Sequence, residues 1–418
     1  MSIEKFLLMN ISPKQIVLKN TFWLSLSQIF TRLFKFILVI FAARILGPTG
    51  WGSFQYVLSV ASMFFILSDW GIGNLVIRDY QQKEDFKERI HSGSLIRESL
   101  AFLSLLIALI ASLIFENPSF RRAFVILSFF LFLSNLRDYI ISFFQAVQKM
   151  EKQFFIVFIE SFLTLILGII FILKFKDIIS FALAYFLGMF LSLLYALKMG
   201  KNFLIFLKPK INYDFIKYYL INGLPLVLFG MLGFIFFNTD QIILGKLKGV
   251  ETVGYYSIAT KIILILVTFP SLFLTSLFPQ LALSFNDRER LKKIFKKSIP
   301  FILLISSLIF VLIFIFADLL PLFFGEKYIP SIKPLKLLSL ILIFLPLTNL
   351  FDNFLFSINK QWQDFFITLF CAILNLALDF LLIPQYSIFG AIYATLTSQF
   401  TNLILTSFLS YRYFLRIR

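Results

Sequence analysis

The sequence has few of the residues from which metal centres and hydrolytic active sites are built. Its 418 residues include one cysteine, Cys371, and one histidine, His91. A single cysteine excludes a disulfide framework and a cysteine-based metal site, and one histidine disfavours a Ser-His-Asp triad. No P-loop, glycine-rich nucleotide fingerprint, HExxH motif or EF-hand loop is present. We therefore predict that the protein is not an enzyme and has no catalytic residue, no metal and no cofactor.

Charge is also scarce. Only 15% of the residues are charged and 59% are hydrophobic, whereas a soluble domain has about 25% charged residues. Apolar runs of about 20 residues recur, each long enough to cross a hydrocarbon layer of about 30 Å. A membrane β-barrel would instead show alternating segments of about ten residues, and none are visible. The sequence predicts an all-α, polytopic membrane protein.

The apolar runs predict twelve transmembrane helices in two sets of six. The predicted spans are 20–43, 54–77, 95–115, 120–147, 153–174, 178–198, 214–239, 254–283, 299–322, 335–358, 364–384 and 388–411. The longest connection lies between the sixth and seventh spans. We therefore expect an N-terminal six-helix bundle at 1–200, a cytoplasmic linker at 201–213 and a C-terminal six-helix bundle at 214–418.

The net charge of +17 carries a topology signal. Most lysines and arginines outside the spans fall on the side of the membrane that holds the N-terminus. Because such residues concentrate in cytoplasmic loops, we expect both termini in the cytoplasm and the protein in the cytoplasmic (inner) membrane. The same charges suit contacts with anionic lipid headgroups rather than with nucleic acid.

A short turn in the first half returns in the second half. Residues 44–54 read Arg-Ile-Leu-Gly-Pro-Thr-Gly-Trp-Gly-Ser-Phe, and Gly47 and Gly52 match Gly249 and Gly254 at one constant offset. Repeats of this kind are typical of duplicated transporter halves. Prolines inside one long span invite a kink. The candidate turn and gate residues are Arg44, Gly47, Pro48, Gly52, Gly249, Gly254, Pro270 and Pro279.

Ionisable side chains inside the spans are candidates for function because charge is costly in the membrane. Arg32 and Lys35 are three residues apart and share one helix face. Two cations on one face imply either carboxylate partners or an anionic cargo. The candidate cargo contacts are Arg32, Lys35, Arg137 and Lys261, and the candidate ion-coupling residues are Asp69 and Glu160.

The alternative is a set of internal ion pairs that only hold helices together. Arg137 and Asp138 could neutralise each other, and Arg32 could pair with Asp69. Asp318 and Asp379 lie toward span ends, where we expect helix caps or interface residues. Lys261 has no neighbour in sequence with which to pair, so a cargo contact and a side chain that snorkels to the interface remain equally open.

The duplicated bundles and the turn at 44–54 resemble the polysaccharide and O-antigen flippases of the multidrug/oligosaccharidyl-lipid/polysaccharide exporter superfamily. Three further stretches agree: Asp240-Gln-Ile-Ile-Leu-Gly245, Leu277-Phe-Pro279, and Leu382 to Ala391. The last departs from the family's usual Tyr-Gly at Ser387. The resemblance covers essentially the whole chain.

The resemblance implies two bundles around a central cationic cavity that work by alternating access with an ion gradient. The implied cargo is a polyprenyl-pyrophosphate-linked oligosaccharide, which moves from the cytoplasmic to the outer leaflet for cell-surface polysaccharide biosynthesis. Membrane lipids, a polysaccharide polymerase and glycosyltransferases are the implied partners. A cation-coupled multidrug exporter and a flippase for the peptidoglycan lipid precursor remain alternatives. A membrane polymerase or ligase and a structural scaffold are weaker ones.

Overall fold

The computed structural model describes residues 9–82, 85–203, 211–284 and 287–416. It is 91% helical and has no strands in these ranges. The α-helices that it describes are α1 Pro13–Phe65, α2 Ile72–Gln82, α3 Phe86–Ala111, α4 Pro118–Ala146, α5 Met150–Phe175, α6 Ile178–Met199, α7 Tyr213–Lys248, α8 Val250–Leu266, α9 Thr268–Leu283, α10 Arg288–Phe316, α11 Leu320–Phe324, α12 Ile332–Leu338, α13 Ile341–Ser357, α14 Gln361–Tyr386 and α15 Ile388–Arg416.

Ten helical stretches in these ranges are long and apolar enough to cross a membrane, judged by length and composition. They coincide with the third to twelfth predicted spans, from Glu88–Ile114 to Ile388–Leu415. The predicted all-α, polytopic membrane fold is therefore confirmed. The first two predicted spans need separate description because α1 and α2 divide them differently.

The predicted turn at 44–54 is much shorter than its sequence suggests. Helix α1 is interrupted only at Gly47, which has φ 69° and ψ 179°, and helical backbone resumes at Pro48. Proline is well suited to the first turn of a helix because its missing N–H would have no partner there. The second helical segment therefore begins at Pro48 rather than at the predicted residue 54.

The second predicted span, 54–77, is not one continuous helix. Helix α1 ends at Phe65 and α2 begins at Ile72. Trp70 and Gly71 between them have φ 48° and φ 68°. Such left-handed backbone is unfavourable for a bulky residue such as tryptophan, and the Trp70 indole Nε1 donates to the carbonyl oxygen of Leu220 at 3.0 Å. Contacts with distant residues thus hold the break in place.

The eighth predicted span, 254–283, is also divided. Helix α8 ends at Leu266 and α9 begins at Thr268. Pro270 therefore lies in the first turn of α9, where it replaces no helical hydrogen bond. Val267 between the two helices keeps helical backbone, with φ −56° and ψ −22°, so the kink expected from Pro270 and Pro279 stays a prediction. Pro279 lies in the same helix, and its side chain is outside the described part of the chain.

The described residues form two compact units. Unit 1 comprises the described residues of Met1–Leu46 and Val57–Met231, and unit 2 comprises Gly47–Tyr56 and the described residues of Leu232–Arg418. The predicted domain bounds at 200 and 214 stay a prediction. Most of the predicted linker, residues 204–210, lies outside the described residues.

Within unit 2 the two repeated turns pack against each other. Gly249, like Gly47, has a positive φ, 88°, and comes directly before a helix, α8. A Cβ atom added to Gly52 would overlap the carbonyl oxygen of Val250, and one added to Gly254 would overlap that of Pro48. The repeated glycines thus allow two helix beginnings to approach backbone to backbone.

We expect Gly254→Ala to lower the stability of the protein by about 1–3 kcal/mol, because the added methyl group meets backbone that cannot rotate away. Thermal unfolding of the purified protein in detergent measures this loss. Gly230→Ala is the matched control, since no described atom lies within 4 Å of the Cβ position of Gly230 in α7. Equal unfolding temperatures for the two variants would contradict the close packing.

Candidate functional site

A cavity of about 450 Å³ lies in unit 1 at the break between α1 and α2. We call it the unit 1 cavity. It is lined by Phe65, Ser68, Asp69, Gly73, Asn74, Ile77, Arg97, Leu131, Ser134, Asn135, Asp138, Ile141, Ser142, Gln145, Gln153 and Val157. Most of these side chains carry hydroxyl, amide or charged groups.

An ion pair forms one wall of the unit 1 cavity. The Arg97 guanidinium contacts the carboxylate of Asp69. Its Nε donates to the side-chain oxygen of Asn135 at 3.1 Å, and another of its nitrogens donates to the Asn135 carbonyl at 3.0 Å. Asn135 donates in turn to the Ser68 hydroxyl at 2.9 Å. Gly73 leaves room for the guanidinium, since a Cβ atom at this position would lie 3.0 Å from an Arg97 nitrogen.

A second network of ion pairs extends from this cavity to Lys35 on α1. Arg137 contacts the carboxylate of its neighbour Asp138 at 2.7 Å and that of Glu160 at 3.2 Å. The Glu160 carboxylate also lies 4.0 Å from the Lys35 ammonium. Arg137 and Glu160 are buried, whereas Asp138 and Lys35 are about half exposed, at 48% of each side chain. The expected local neutralisation of Arg137 by Asp138 is therefore present.

The residues predicted from their depth in the spans are only partly brought together. Lys35, Arg137 and Glu160 belong to one network, as described above. Asp69 pairs with Arg97 rather than with Arg32, so the suggested pairing of Arg32 with Asp69 is wrong. The Arg32 Nε donates a hydrogen bond to the side-chain oxygen of Gln28 at 3.4 Å.

The other predicted residues lie in unit 2 or near its first turn. Lys261 is partly buried on α8, and Pro270 is buried at the start of α9. Arg44 is exposed one turn before Gly47. Their roles as cargo contact or gate stay predictions.

A buried polar cluster in unit 2 was not predicted as a site. The carboxyl groups of Asp240 and Asp379 lie close enough to interact electrostatically, and neither oxygen of Asp379 has a hydrogen-bond partner among the described residues. The Tyr256 and Thr395 hydroxyls both donate to Asp240, the latter at 2.9 Å. Asn375 lies one turn before Asp379 and is fully buried, and neither its amide oxygen nor its amide nitrogen has a partner among the described residues.

This cluster has the chemistry of a proton or cation site. Two buried carboxylates close to each other would repel if both were ionised, so the proximity of Asp240 and Asp379 favours a shared proton or a bound cation. No described lysine or arginine pairs with either carboxylate. A cavity of about 30 Å³ touches Tyr256 and Thr395, which is enough for a water-sized occupant. We call Asp240 and Asp379 the unit 2 carboxyl pair, and Tyr256, Thr395 and Asn375 its partners.

The expectation that Asp379 caps a helix or lies at an interface is therefore wrong. Asp379 is fully buried within α14, whereas Asp318 is exposed and pairs with Lys336 at 2.7 Å, as an interface residue would. The sequence feature that could have predicted this buried cluster is the spacing of Asn375 and Asp379, which lie four residues apart on one helix face of an apolar span. Arg97 was not predicted as a site residue because it lies near the start of the third predicted span, where a cation is typical of a topology signal.

Comparisons with known proteins agree with the fold. A sequence model of the family described as "Polysaccharide biosynthesis protein" matches residues 17–285, and one described as MatE matches residues 225–381. The capsular polysaccharide biosynthesis protein CapF of Staphylococcus aureus is 23% identical over 407 residues, which are 95% of this chain and 99% of CapF.

Two solved structures share the architecture. The lipid II flippase MurJ in an inward closed conformation has a TM-score of 0.75 and 16% identity, covering 94% of this chain and 89% of MurJ. An inward-facing multidrug resistance MATE transporter has a TM-score of 0.71 and 14% identity, covering 93% and 95% of the two chains. These relatives are membrane transporters rather than enzymes. The chain thus belongs to the family described as "Polysaccharide biosynthesis protein".

Proposed function

We propose that this transporter moves polyprenyl-pyrophosphate-linked oligosaccharide units from the cytoplasmic to the outer leaflet by alternating access. The family match and the similarity to CapF, which takes part in capsular polysaccharide biosynthesis, support a polysaccharide-precursor cargo. The fold shared with a lipid II flippase is compatible with a lipid-linked one.

The observation that carries the proposal is the half-exposed ammonium of Lys35 beside a buried charge network in unit 1. A pyrophosphate needs cations that can leave their protein partners without leaving a buried charge unpaired. At 4.0 Å from Glu160, Lys35 is loosely held, and Glu160 keeps Arg137 when Lys35 turns to a ligand. Arg32 shares the helix face of Lys35 and supplies the second cation.

Arg137 has a different place in this proposal. Its guanidinium already contacts two carboxylates, so its charge is offset before any cargo arrives. It holds Asp138 and Glu160 in position and, through Glu160, positions Lys35 for the headgroup. Lys261 remains a candidate contact in unit 2.

We propose that the ion gradient acts at the unit 2 carboxyl pair. Asp69 and Glu160 were the candidates from sequence, but each contacts an arginine in unit 1 that already compensates its charge. Asp240 and Asp379 have no such partner among the described residues, and two buried carboxyl groups so close together favour a shared proton or a bound cation. Uptake and release of that ion would change the packing of α7 and α14.

One observation favours a second candidate function. The exposed charges at the unit 1 cavity are the carboxylates of Asp69 and Asp138, which suit a positively charged cargo. A multidrug exporter, as in the MATE relatives, would use them for organic cations. Transport of ethidium without any transport of lipid-linked sugar would favour that function. A flippase for the peptidoglycan precursor is separated from the main proposal by the sugar that is moved.

We further propose that the protein lies in the cytoplasmic (inner) membrane with both termini in the cytoplasm. A six-helix bundle at 1–200, the linker at 201–213 and a second bundle at 214–418 form its functional halves. Glycosyltransferases that build the sugar unit and a polymerase that consumes it are the proposed partners, because a flipped unit must be made on one side and used on the other.

We expect Arg32→Ala and Lys35→Ala each to abolish flipping of a labelled lipid-linked oligosaccharide in proteoliposomes while expression stays normal. Each removes a cation from the proposed headgroup site. Lys174→Ala, which removes an exposed lysine of the same unit, is the control and should transport normally. If Arg32→Ala and Lys35→Ala both flip the lipid as fast as the control, the assignment of these two residues as headgroup cations fails.

We expect Asp240→Asn and Asp379→Asn to remove the acceleration of flipping by an imposed proton or sodium gradient, a loss of about tenfold or more in the coupled rate. An amide cannot release the proton or bind the cation with full charge. Asp318→Asn changes an exposed aspartate of the same unit and should keep the gradient response. A normal response in both buried variants would move the coupling site elsewhere.

A further inference from the structure

We propose that the unit 1 cavity binds the sugar of the cargo and that the pyrophosphate binds outside it, at Arg32 and Lys35. This inference rests on the proposed flippase function. It assigns a chemical class of ligand to a cavity whose lining residues, apart from Asp69, were not predicted to bind anything. The volume of about 450 Å³ lies within the range of small-molecule sites, roughly 300–1,000 Å³.

The neutral polar groups of the cavity match sugar hydroxyls. Asn74, Gln145 and Gln153 line it with side-chain amides. An amide offers two N–H donors and a carbonyl acceptor, and a sugar hydroxyl both donates and accepts. Gln145 donates to Gln153 at 2.9 Å, which uses one donor and leaves both amides with further capacity. Asn74 is exposed in the described structure.

The charges of the cavity disfavour an anion. The Asp69 and Asp138 side chains are 44% and 48% exposed, whereas that of Arg97 is only 4% exposed. A pyrophosphate that entered would therefore meet two carboxylates before any cation. Carboxylates accept strong, charge-assisted hydrogen bonds from hydroxyl groups, so the same two side chains favour a sugar.

The break between α1 and α2 is an independent reason to regard the cavity as a ligand-binding site. The helix break at 66–71 falls inside a predicted span. Non-helical backbone at that depth is tolerated where it is buried in protein or lines a cavity, and transporters form substrate sites at discontinuous helices. The bonds from Arg97 to Asn135 and from Asn135 to Ser68 hold the wall beside the break before any ligand arrives.

A chain of ion pairs also joins the wall of the cavity to Lys35, one of the two proposed headgroup cations. Asp138 on its wall contacts Arg137, Arg137 contacts Glu160, and Glu160 contacts Lys35. The sugar is joined directly to the pyrophosphate in such a lipid. A pyrophosphate held at Lys35 would therefore place the first sugar near this network, whose member Asp138 lines the cavity.

The test compares two kinds of lipid with the purified full-length protein. One probe is bare undecaprenyl pyrophosphate, and the other is the same lipid carrying glucose, galactose or N-acetylglucosamine. We expect the wild type to bind at least one sugar-bearing lipid about tenfold more tightly than the bare lipid. The double variant Asn74→Leu/Gln153→Leu should lose most of that difference and bind the bare lipid unchanged, because leucine keeps the volume without the hydrogen bonds.

Asn202→Leu is the matched control, since Asn202 is an exposed asparagine of unit 1 that does not line the cavity. Equal affinity of the wild type for all probes would overturn the proposal, as would an equal loss of both kinds of lipid in the double variant. Displacement of the sugar-bearing lipid by ethidium in the wild type but not in the double variant would identify a cation site instead.

Flipping by the wild type separates this inference from the proposed function. If the wild type binds sugar-bearing lipids through Asn74 and Gln153 but moves none of them in proteoliposomes, the function fails and the sugar site stands. If the wild type flips them and the double variant flips and binds them equally well, the function stands and the sugar site fails.

Discussion

The contact of Arg137 with Glu160 shows the constraint on which the charged part of unit 1 depends. A full charge inside an apolar helical bundle is costly unless another charge compensates it. Arg137 on α4 is buried, and it is compensated by Asp138 on its own helix and by Glu160 on α5. Lys35 on α1 completes the network. The network thus links three helices, and its outer members, Asp138 and Lys35, are half exposed.

The buried carboxyl groups of unit 2 are not compensated by a described protein cation, in contrast to those of unit 1. Asp240 and Asp379 face each other without a described lysine or arginine, and hydroxyl groups supply the donors. Unit 1 compensates its charges with protein groups, whereas the unit 2 carboxyl pair has no described protein cation and favours a shared proton or a bound cation. We infer from this difference that cargo binding and ion coupling use separate parts of the chain.

Much of the fold followed from simple patterns. Ten predicted spans matched described helices because a membrane-spanning run of about 20 apolar residues has few alternatives to a helix. The turn at Gly47 and its repeat at Gly249 followed from glycine, which alone tolerates their backbone without strain. The break at Trp70 did not follow, because a tryptophan with positive φ is imposed by contacts such as that with Leu220.

The sequence by itself determined the membrane class, the order of the spans, the repeated turns and the family, since hydrophobic length and local motifs are properties of neighbouring residues. The tertiary structure alone decided which charges meet. Asp69 pairs with Arg97 rather than with Arg32, and Asp240 meets Asp379 across more than a hundred residues of chain. Ion pairing depends on which helix faces are adjacent, and adjacency is set by the packing of whole helices rather than by spacing along one of them.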